Sequence, residues 1–327
     1  MSAPTLRWGL LSTARINDAL LGADPSKPER WQAVASRDAA RARAYADEKE
    51  IARSHGSYEA LLADPLVDAV YIGLPNALHA PWALKALEAG KHVLVEKPFA
   101  RRPEAVEECY DAAEARGLVL AEAFMWRHHP QARRARQLIV DGAIGELRSL
   151  HATFSFALTD PENVRWSAEL EGGALMDIGC YCLSGCRTLA GTEPVRVHGE
   201  SVTTPDGVDV SFSGLIRFAH DVRATFDCSF AAVPHHSLEA IGTDGRLRLD
   251  DPWHGRRPVI SLTGADGATS DVDCSSALGS YALELEDFEA AVAGDRAPLL
   301  GREDAMRQAR AIAALYASAA TNEGVTP

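Results

Sequence analysis

One short stretch of the sequence places charged side chains directly after an apolar run, where they could take part in proton transfer. Residues 92–95 are apolar enough to form a buried strand of a parallel sheet, and Glu96, Lys97 and Pro98 follow it. A lysine at the carboxyl end of such a strand lies at the crevice where open α/β sheets bind ligands. Proline favours an extended conformation for the residue before it, which limits where the Lys97 ammonium can go. An ordinary surface lysine at a strand end is the alternative.

A second candidate pair, Asp177 and Tyr181, follows two glycines in a segment predicted to be a helix that begins near Leu175. Residues four apart share one helical face, and a carboxylate and a phenol opposed by Lys97 would form a proton-transfer set. A tyrosine pKa of about 10 means that half-ionisation at pH 7 costs about 4 kcal/mol. An ammonium some 4 Å away supplies about that much at an effective dielectric near 20. The alternative is a helix with two ordinary polar residues.

Length and composition define the class of protein. A chain of 327 residues with 46% hydrophobic and 24% charged residues predicts two globular domains. A net charge of −13 argues against a nucleic-acid or anionic-membrane surface. The opening residues lack an apolar signal core, no run approaches a membrane span, and six dispersed cysteines do not make a disulfide framework. We therefore expect a soluble cytoplasmic protein.

The apolar pattern changes once along the chain. Strands and helices alternate up to about residue 123, which predicts a doubly wound parallel sheet of the α/β class and a dinucleotide-binding Rossmann domain over residues 1–124. Beyond this point Leu150, Ala152 and Phe154 alternate with His151 and Thr153. This period predicts an α+β domain over residues 125–327 with a large, mostly antiparallel open-faced sheet. Its polar face would be solvated or would form a contact between subunits.

The turn after the first strand occupies the place of a dinucleotide-binding loop. Gly9 is the only glycine of the G-x-G-x-x-G pattern, but Ser12 and Ala14 are small enough to leave backbone amides open to a pyrophosphate. The second strand ends in Ser36 and Arg37, with Arg41 one helical turn on, where an NAD site usually has an acidic residue. Arginines there suit the 2′-phosphate of NADP, unless they are simply solvated. The predicted cofactor-binding residues of these two segments are Gly9, Ser12, Thr13, Ala14, Arg15, Ile16, Ser36, Arg37 and Arg41.

Other candidate residues are predicted from their positions in the chain. Asn76 and His79 follow a buried strand and would flank the cofactor at the crevice, although His79 could equally be an ordinary residue of a helix start. Trp126 and Arg127 lie at the predicted domain junction, where a tryptophan is core as often as a substrate wall. The remaining cofactor-binding candidates of the crevice are Leu74, Pro75, Glu96 and Lys97.

Metal binding is not expected from the cysteines or histidines. Cys182 and Cys186 share a face of one predicted helix with Cys180 close by, but no second pair has zinc-ribbon spacing. Buried thiols explain them better. The pairs at residues 128–129 and 235–236 are adjacent histidines that point in different directions, so neither pair is predicted to be a ligand set.

Four segments that run along most of the chain carry a family resemblance, namely residues 8–14, 75–79, 89–98 and 172–181. On these segments the chain resembles the glucose-fructose oxidoreductase/inositol dehydrogenase (GFO/IDH/MocA) family of nicotinamide-dependent sugar oxidoreductases. The Glu-Lys-Pro element in its context is highly specific, whereas the glycine turn is not. Residues 124–130 are most similar to the branch that holds NADP-dependent D-xylose dehydrogenases and dimeric dihydrodiol dehydrogenases.

The resemblance implies roles for individual residues. Lys97 would lie near the nicotinamide and the substrate hydroxyl, with a cis bond to Pro98. Tyr181 would take the acid/base position, and Asp177 would orient the substrate. Arg165 and Trp166 would reach over the cofactor. The open-faced sheet would join subunits into a homodimer or homotetramer.

The sequence thus predicts an NADP-preferring oxidoreductase that acts on a CH–OH or C=O carbon of a sugar, polyol or dihydrodiol. Two other functions remain open. A nucleotide-binding regulator could keep the fold without the reaction, since fold does not fix function. An enzyme could also work with a tightly held cofactor that passes between two substrates.

Overall fold

The computed structural model describes residues 6–327, which form two compact units. The first comprises the residues up to Phe124 together with Tyr281–Met306, and the second comprises Met125–Ser280 and Arg307–Pro327. The sequence-based division placed all of residues 125–327 in one domain, whereas Tyr281–Met306 groups with the first unit. Among residues 6–327, no helix has both the length and the apolar character needed to cross a bilayer.

The first unit contains the predicted parallel sheet. Six strands pair in the order β3-β2-β1-β4-β5-β6, and every pairing is parallel. This order reverses direction at β1 and β4, which is the doubly wound arrangement expected of a Rossmann domain. The prediction of the fold class is confirmed. The strands are β1 Trp8–Leu11, β2 Trp31–Ala35, β3 Arg53–His55, β4 Ala69–Ile72, β5 His92–Glu96 and β6 Leu120–Ala123.

The helices that connect these strands begin where the sequence signals place them. The Asp38 carboxylate accepts hydrogen bonds from two amides of the helix that follows β2, and Pro103 is the first residue of the helix before β6. Both starts confirm the sequence-based expectation. The helices are α1 Asn17–Leu21, α2 Ala39–Glu48, α3 Tyr58–Leu62, α4 His79–Glu88 and α5 Pro103–Glu114, with short 3-10 turns at Pro28–Arg30 and Asn76–Leu78.

Aromatic packing explains why Tyr281–Met306 belongs to the first unit. The buried Trp8 ring lies 6.0 Å from Trp31 and 5.1 Å from Phe288, measured between ring centroids. Leu285 joins the same hydrophobic core. Burial of large side chains such as these contributes about 1.5–3 kcal/mol each, so this helix completes the core of the parallel sheet.

The second unit contains the predicted open-faced sheet. Eight strands pair in the order β14-β13-β12-β11-β7-β10-β9-β8, and only the β7–β10 pairing is parallel. Buried and exposed residues alternate along the central strands, as predicted. The strands are β7 Leu147–Ala157, β8 Arg196–Thr203, β9 Asp209–Arg217, β10 Arg223–Ser229, β11 Ala231–Gly242, β12 Gly245–Asp250, β13 Val259–Gly264 and β14 Thr269–Asp273.

The later part of the chain contains the remaining helices and a π-helical turn. The remaining helices are α6 Pro130–Val140, α7 Cys180–Ala190, α8 Ser280–Val292 and α9 Arg302–Thr321. Leu175–Gly179, predicted to be the first turn of α7, is instead a π-helical turn. All six cysteines are buried free thiols.

Candidate active site

The charged segment after β5 is held by the neighbouring strand. The Lys97–Pro98 peptide bond is cis, as the family resemblance implied. The Glu96 carboxylate accepts a hydrogen bond from the Tyr71 hydroxyl on β4 and another from the Lys97 amide, 3.1 Å away. Each oxygen of Glu96 thus accepts one hydrogen bond. Together the two bonds fix the end of β5 and the backbone from which the Lys97 side chain extends.

The chain just beyond the cis bond is supported by two buried polar side chains. His79 places Nδ1 2.8 Å from the Pro98 carbonyl oxygen and Nε2 2.7 Å from that of Leu74. Burial lowers the pKa of His79 to about 4, so the ring is neutral at pH 7 and donates to one of the two carbonyls. The Phe99 amide donates to the Glu122 carboxylate on β6 over 2.7 Å. His79 thus has a supporting role, and its contact with a cofactor stays a prediction, as do those of Pro75 and the half-buried Asn76.

The turn after β1 keeps the shape of a tight loop without the second glycine of its pattern. Ser12 has φ +137°, a conformation that favours glycine. Its hydroxyl donates to the Gly73 carbonyl oxygen over 2.7 Å and accepts from the Ala14 amide over 3.1 Å. The Asn17 side chain in turn donates to the Ser12 carbonyl oxygen over 2.8 Å. With the turn held by these bonds, α1 begins only at Asn17.

Small residues also fit this turn to its surroundings. A Cβ on Gly9 would lie 2.8 Å from a methyl carbon of Leu61, so a larger residue there would require the Leu61 side chain to move. The turn residues Thr13, Ala14 and Ile16 are half-buried and Arg15 is exposed, so all four are accessible to a ligand. These residues fit a pyrophosphate-binding loop, and their individual contacts with it stay predictions.

The end of β2 presents positive charge and no available carboxylate. Arg37 and Arg41 are exposed. Asp38 is the nearest acidic residue, but its carboxylate accepts from two amides of α2 at 2.8 and 3.3 Å, and its own amide donates to the Ser36 hydroxyl over 3.2 Å. Burial raises the pKa of Tyr58, while the charges of Arg37 and Arg41 lower it, so both guanidinium groups lie near this phenol. Such a set fits a 2′-phosphate better than a ribose 2′-hydroxyl.

The segment that carries Asp177 and Tyr181 is helical from Leu175, as the sequence predicted. The prediction of one continuous α-helix was wrong, because the first turn is of a different type. Leu175–Gly179 forms a π-helical turn, and α7 follows it directly. Gly179 packs closely, because a Cβ there would lie 2.7 Å from the Cys228 sulfur on β10. A π turn closes i→i+5 bonds and is common at functional sites. Asp177 and Tyr181 therefore lie on either side of the junction between two helix types.

A buried carboxylate that the sequence analysis passed over fixes the start of this turn. Asp209, at the start of β9, accepts from the Leu175 amide over 2.6 Å and from the Tyr316 hydroxyl over 2.9 Å. Gly173 has φ +123°, and a Cβ there would lie 2.1 Å from the Asp209 carboxylate. The glycine is therefore required both by its conformation and by its close approach to Asp209.

Arg165 and Asp177, which were predicted for different roles, form an ion pair. The Arg165 Nε lies 2.5 Å from Asp177 Oδ2, and the same guanidinium donates to the Asn163 side chain over 3.4 Å. A Cβ on Gly172 would lie 2.2 Å from the Arg165 carbonyl oxygen. The absence of a side chain at Gly172 therefore allows the two backbone segments to lie close together. The ion pair thus links the 3-10 turn Val164–Trp166 to the π turn.

Tyr181 lies in an aromatic pocket of the second unit and is only 7% exposed. Its hydroxyl lies 3.5 Å from the sulfur of Met125. The Phe154 ring meets it edge-on at 5.5 Å, and the Trp253 ring lies at 6.0 Å, between centroids. Such surroundings restrict the phenol to one orientation and exclude water from most of the ring.

The tryptophans predicted to contact ligands differ in burial. Trp126 is 1% exposed and meets Trp253 edge-on at 5.4 Å, which is the core alternative left open for it. Its indole nitrogen nevertheless has no hydrogen-bond partner among residues 6–327. The Arg127 guanidinium lies 5.9 Å from the centre of the Trp126 ring. Trp166 is half-buried and packs edge-on against Phe230 at 5.5 Å.

A second buried carboxyl group lies behind Glu96. Glu284 on α8 is 1% exposed, and neither of its oxygens has a hydrogen-bond partner among the described residues. Burial and then the charge of Glu96 raise its pKa well above the ordinary value. Burial and the same charge also raise the pKa of Tyr71. Burial and the neighbouring Glu96 carboxylate therefore both disfavour the ionised form of Glu284.

Several supporting residues were not predicted, and only two of them carry a signal in the sequence. Glu284 falls on the apolar stripe of α8 formed by residues 281, 285 and 288, and Glu122 interrupts an apolar strand. A charged residue at such a position indicates a buried, specialised carboxyl group. The supporting residues that were missed are Tyr71, Glu122, Met125, Asp209 and Glu284.

Comparison with known proteins places these features in a family. The sequence model described as an oxidoreductase family with an NAD-binding Rossmann fold matches residues 13–124, and that of the GFO/IDH/MocA C-terminal domain matches residues 132–248. A D-xylose 1-dehydrogenase (NADP(+)) of Haloferax volcanii is 37% identical over 98% of this chain and 99% of its own length. A trans-1,2-dihydrobenzene-1,2-diol dehydrogenase of Macaca fuscata fuscata is 35% identical over 76% of this chain and 75% of its own length.

Solved structures agree with the sequence matches. KijD10, a 3-ketoreductase from Actinomadura kijaniata in a complex with NADP and TDP-benzene, matches with a TM-score of 0.90 and 30% identity over 96% of this chain and 98% of its own. The parallel sheet, the cis bond after Lys97 and these likenesses all agree with the family resemblance of the sequence. The chain belongs to the GFO/IDH/MocA family of oxidoreductases.

Proposed function

We propose that the protein is an NADP-preferring dehydrogenase or reductase that acts on a CH–OH or C=O carbon of a sugar, polyol or dihydrodiol. One observation carries this proposal: Lys97 stands at the carboxyl end of β5 on a backbone fixed by Glu96. Proton transfer requires a side chain that returns to the same position, and a lysine on a fixed backbone meets this requirement. The activities named for the similar proteins, on D-xylose, dihydrodiols and a 3-keto group, fall in this substrate class.

The first unit would hold the cofactor. When bound, the nicotinamide would supply or accept the hydride. The turn of residues 12–16 would bind the pyrophosphate, and Arg37 and Arg41 would bind the 2′-phosphate. Residues after β4 and β5 would line the nicotinamide end, namely Leu74, Pro75, Asn76, His79, Glu96 and Lys97, with Arg165 and Trp166 completing the site.

Tyr181 and Lys97 would move the proton. In oxidation the Tyr181 phenolate takes the proton of the substrate hydroxyl, and in reduction the phenol returns it to the carbonyl oxygen. The Lys97 ammonium favours the phenolate, since an opposite charge nearby lowers a phenol pKa. Its positive charge also stabilises negative charge on the substrate oxygen during the reaction.

The second unit would orient the substrate. Asp177 accepts hydrogen bonds from substrate hydroxyls, and its ion pair with Arg165 fixes the carboxylate and keeps it charged. Trp126 and Arg127 would line the same pocket. The aromatic rings packed around Tyr181 would hold its phenol in position beside the substrate.

We further propose that the open face of the large sheet joins subunits into a homodimer or homotetramer. Its polar side chains are already ordered by mutual contacts, with His151 2.8 Å from Thr225 and Ser213 2.5 Å from Asp227. Leu215 on the same face is 49% exposed. An ordered face with exposed apolar residues is suited to pairing with a second copy. The cytoplasmic location stays a prediction.

A substrate panel tests this function. The full-length protein is mixed with NADP⁺ or NAD⁺ and with aldoses, polyols and dihydrodiols, and formation of reduced nicotinamide is followed by absorbance. We expect turnover with at least one class and a higher kcat/KM for NADP⁺. Silence across the panel, with the nucleotide still bound, would favour a regulator. Nicotinamide that copurifies with the protein would favour an enzyme that keeps its cofactor between two substrates.

A further inference from the structure

Three potential metal ligands that the proposed reaction does not use meet in the second unit. They are His236 on β11, Asp251 directly after β12, and His254. One ligand atom from each residue lies within 4.8 Å of the other two. The Nδ1 atoms of His236 and His254 lie 2.9 and 3.0 Å from the same carboxylate oxygen of Asp251.

We propose that His236, Asp251 and His254 form a binding site for a divalent transition-metal ion of the zinc class. Two imidazole nitrogens and one carboxylate oxygen are a ligand set that zinc prefers. With metal–ligand bonds of about 2.0–2.1 Å, the ligand atoms of a tetrahedral site stand roughly 3.3–3.4 Å apart. The observed spacings around Asp251 are within about half an ångström of that value. Three protein ligands leave the fourth position to water or another small ligand.

The ligands are held by the fold. The Asp251 amide donates to the His236 carbonyl oxygen over 3.2 Å, which ties the two chain segments together. The Phe154 ring packs edge-on against His236 at 4.5 Å and against His254 at 5.8 Å. Fully buried Trp253, next to His254, donates to a backbone carbonyl of β7 over 3.1 Å. A ligand set fixed in this way loses little freedom when an ion binds.

An ion can also reach the cluster. The side chains of His236 and Asp251 are 17% exposed, and that of His254 is 29% exposed. Partial exposure distinguishes this cluster from a sealed hydrogen-bond network and gives room for water as a further ligand. The adjacent His235 is exposed and lies outside the cluster, so it provides a matched control.

The test titrates Co²⁺ into tag-free, chelator-treated protein without nucleotide, so that its outcome does not depend on the proposed reaction. Visible absorbance reports the Co²⁺ coordination, and Zn²⁺ is then added as competitor. We expect one Co²⁺ per chain, displaced by Zn²⁺, and a melting temperature that rises with Zn²⁺. His236→Gln and His254→Gln should each weaken binding at least tenfold, and His235→Gln should leave it unchanged.

Two results would overturn the proposal. Absence of Co²⁺ and Zn²⁺ binding below millimolar concentrations would show that the cluster is only a hydrogen-bond network. Equal weakening by His235→Gln would show that any bound ion lies elsewhere. Asp251→Asn serves as a second variant if either histidine variant fails to fold, because the amide keeps the side-chain size but removes the anionic ligand.

Discussion

The two units position their candidate catalytic groups by different means. In the first unit, Lys97 follows directly from a buried strand, and its segment is fixed by contacts at the ends of adjacent parallel strands. In the second unit, Asp177 lies on a π turn whose start is held by a buried carboxylate from a distant strand, Asp209, and Tyr181 lies in the first turn of α7 just beyond it. The first arrangement follows from local sequence, whereas the second depends on tertiary contacts. We therefore expect substitutions in the two units to have different effects on turnover and on stability.

The largest expected effect is a loss of turnover, and it should distinguish two lysines at opposite ends of β5. Lys97→Met should lower turnover by about 10² to 10⁴ with little change in stability, because its ammonium serves proton transfer. Lys91 is buried and donates to the Asp64 and Val67 carbonyl oxygens over 2.8 and 2.7 Å. Lys91→Met should cost about 1–3 kcal/mol of stability and leave turnover of the folded protein intact. Denaturant unfolding and steady-state kinetics on both variants measure this contrast, and normal turnover of Lys97→Met would remove its assigned role.

A glycine pair tests the tertiary dependence of the second unit. Gly173→Ala should lower the free energy of unfolding by about 3 kcal/mol or more, because it combines positive φ with a Cβ 2.1 Å from Asp209. Gly142 also has positive φ, at +77°, but a Cβ there meets nothing within 4 Å among the described residues. Gly142→Ala should cost only about 1 kcal/mol. Urea unfolding of both variants measures the difference, and equal costs would show that the Asp209 contact does not matter.

The preference for NADP⁺ over NAD⁺ provides a further test of the first unit. Arg37→Asp should raise the KM for NADP⁺ by about 10- to 150-fold, the equivalent of one charge-assisted hydrogen bond, and shift preference toward NAD⁺. Arg43→Asp introduces the same charge change on α2 and should leave the preference unaltered. Kinetics with both cofactors provide the measurement. If preference stays unchanged in Arg37→Asp, the end of β2 does not determine it.

The last prediction concerns the pH dependence of stability that arises from Glu284, the buried carboxyl group behind Glu96. Because burial raises the folded-state pKa of Glu284, its contribution to stability is present below the ordinary glutamate pKa and is lost as pH rises toward the folded-state value. Glu284→Gln removes this loss, so the variant should gain on the wild type by up to about 1.4 kcal/mol for each pH unit of the rise. Glu286→Gln, on the same helix, is the control. Parallel stability–pH curves for wild type and Glu284→Gln would contradict the assignment.

Local signals explain what the sequence predicted correctly. The β4 strand is a continuous apolar run, Asp38 precedes α2 as a capping residue, and Pro103 opens α5. Each of these features depends on neighbours within a few residues. The position of Lys97 follows from the same kind of signal, which is why the first half of the candidate site could be predicted.

Features that depend on distant residues were missed. Strand β3 has three polar residues and no apolar pattern, and Arg53 and His55 are held there by the Asp64 carboxylate at 2.8 and 3.0 Å. The π turn has the same apolar spacing as an α-helix, and its contacts with Asp209 and Cys228 come from distant strands. The cluster around Asp251 joins residues that no motif connects. Sequence spacing alone does not contain these contacts.

The central claim is that Lys97 and Tyr181 act as one proton-transfer unit. A double-mutant cycle on kcat/KM tests it directly, with Lys97→Met, Tyr181→Phe and the double variant assayed on the best substrate of the panel. We predict that each single variant loses most of the activity and that the double variant is no slower than the slower single one, because groups that act together are not additive. A single variant with wild-type activity, or two losses that multiply in the double variant, would contradict the account.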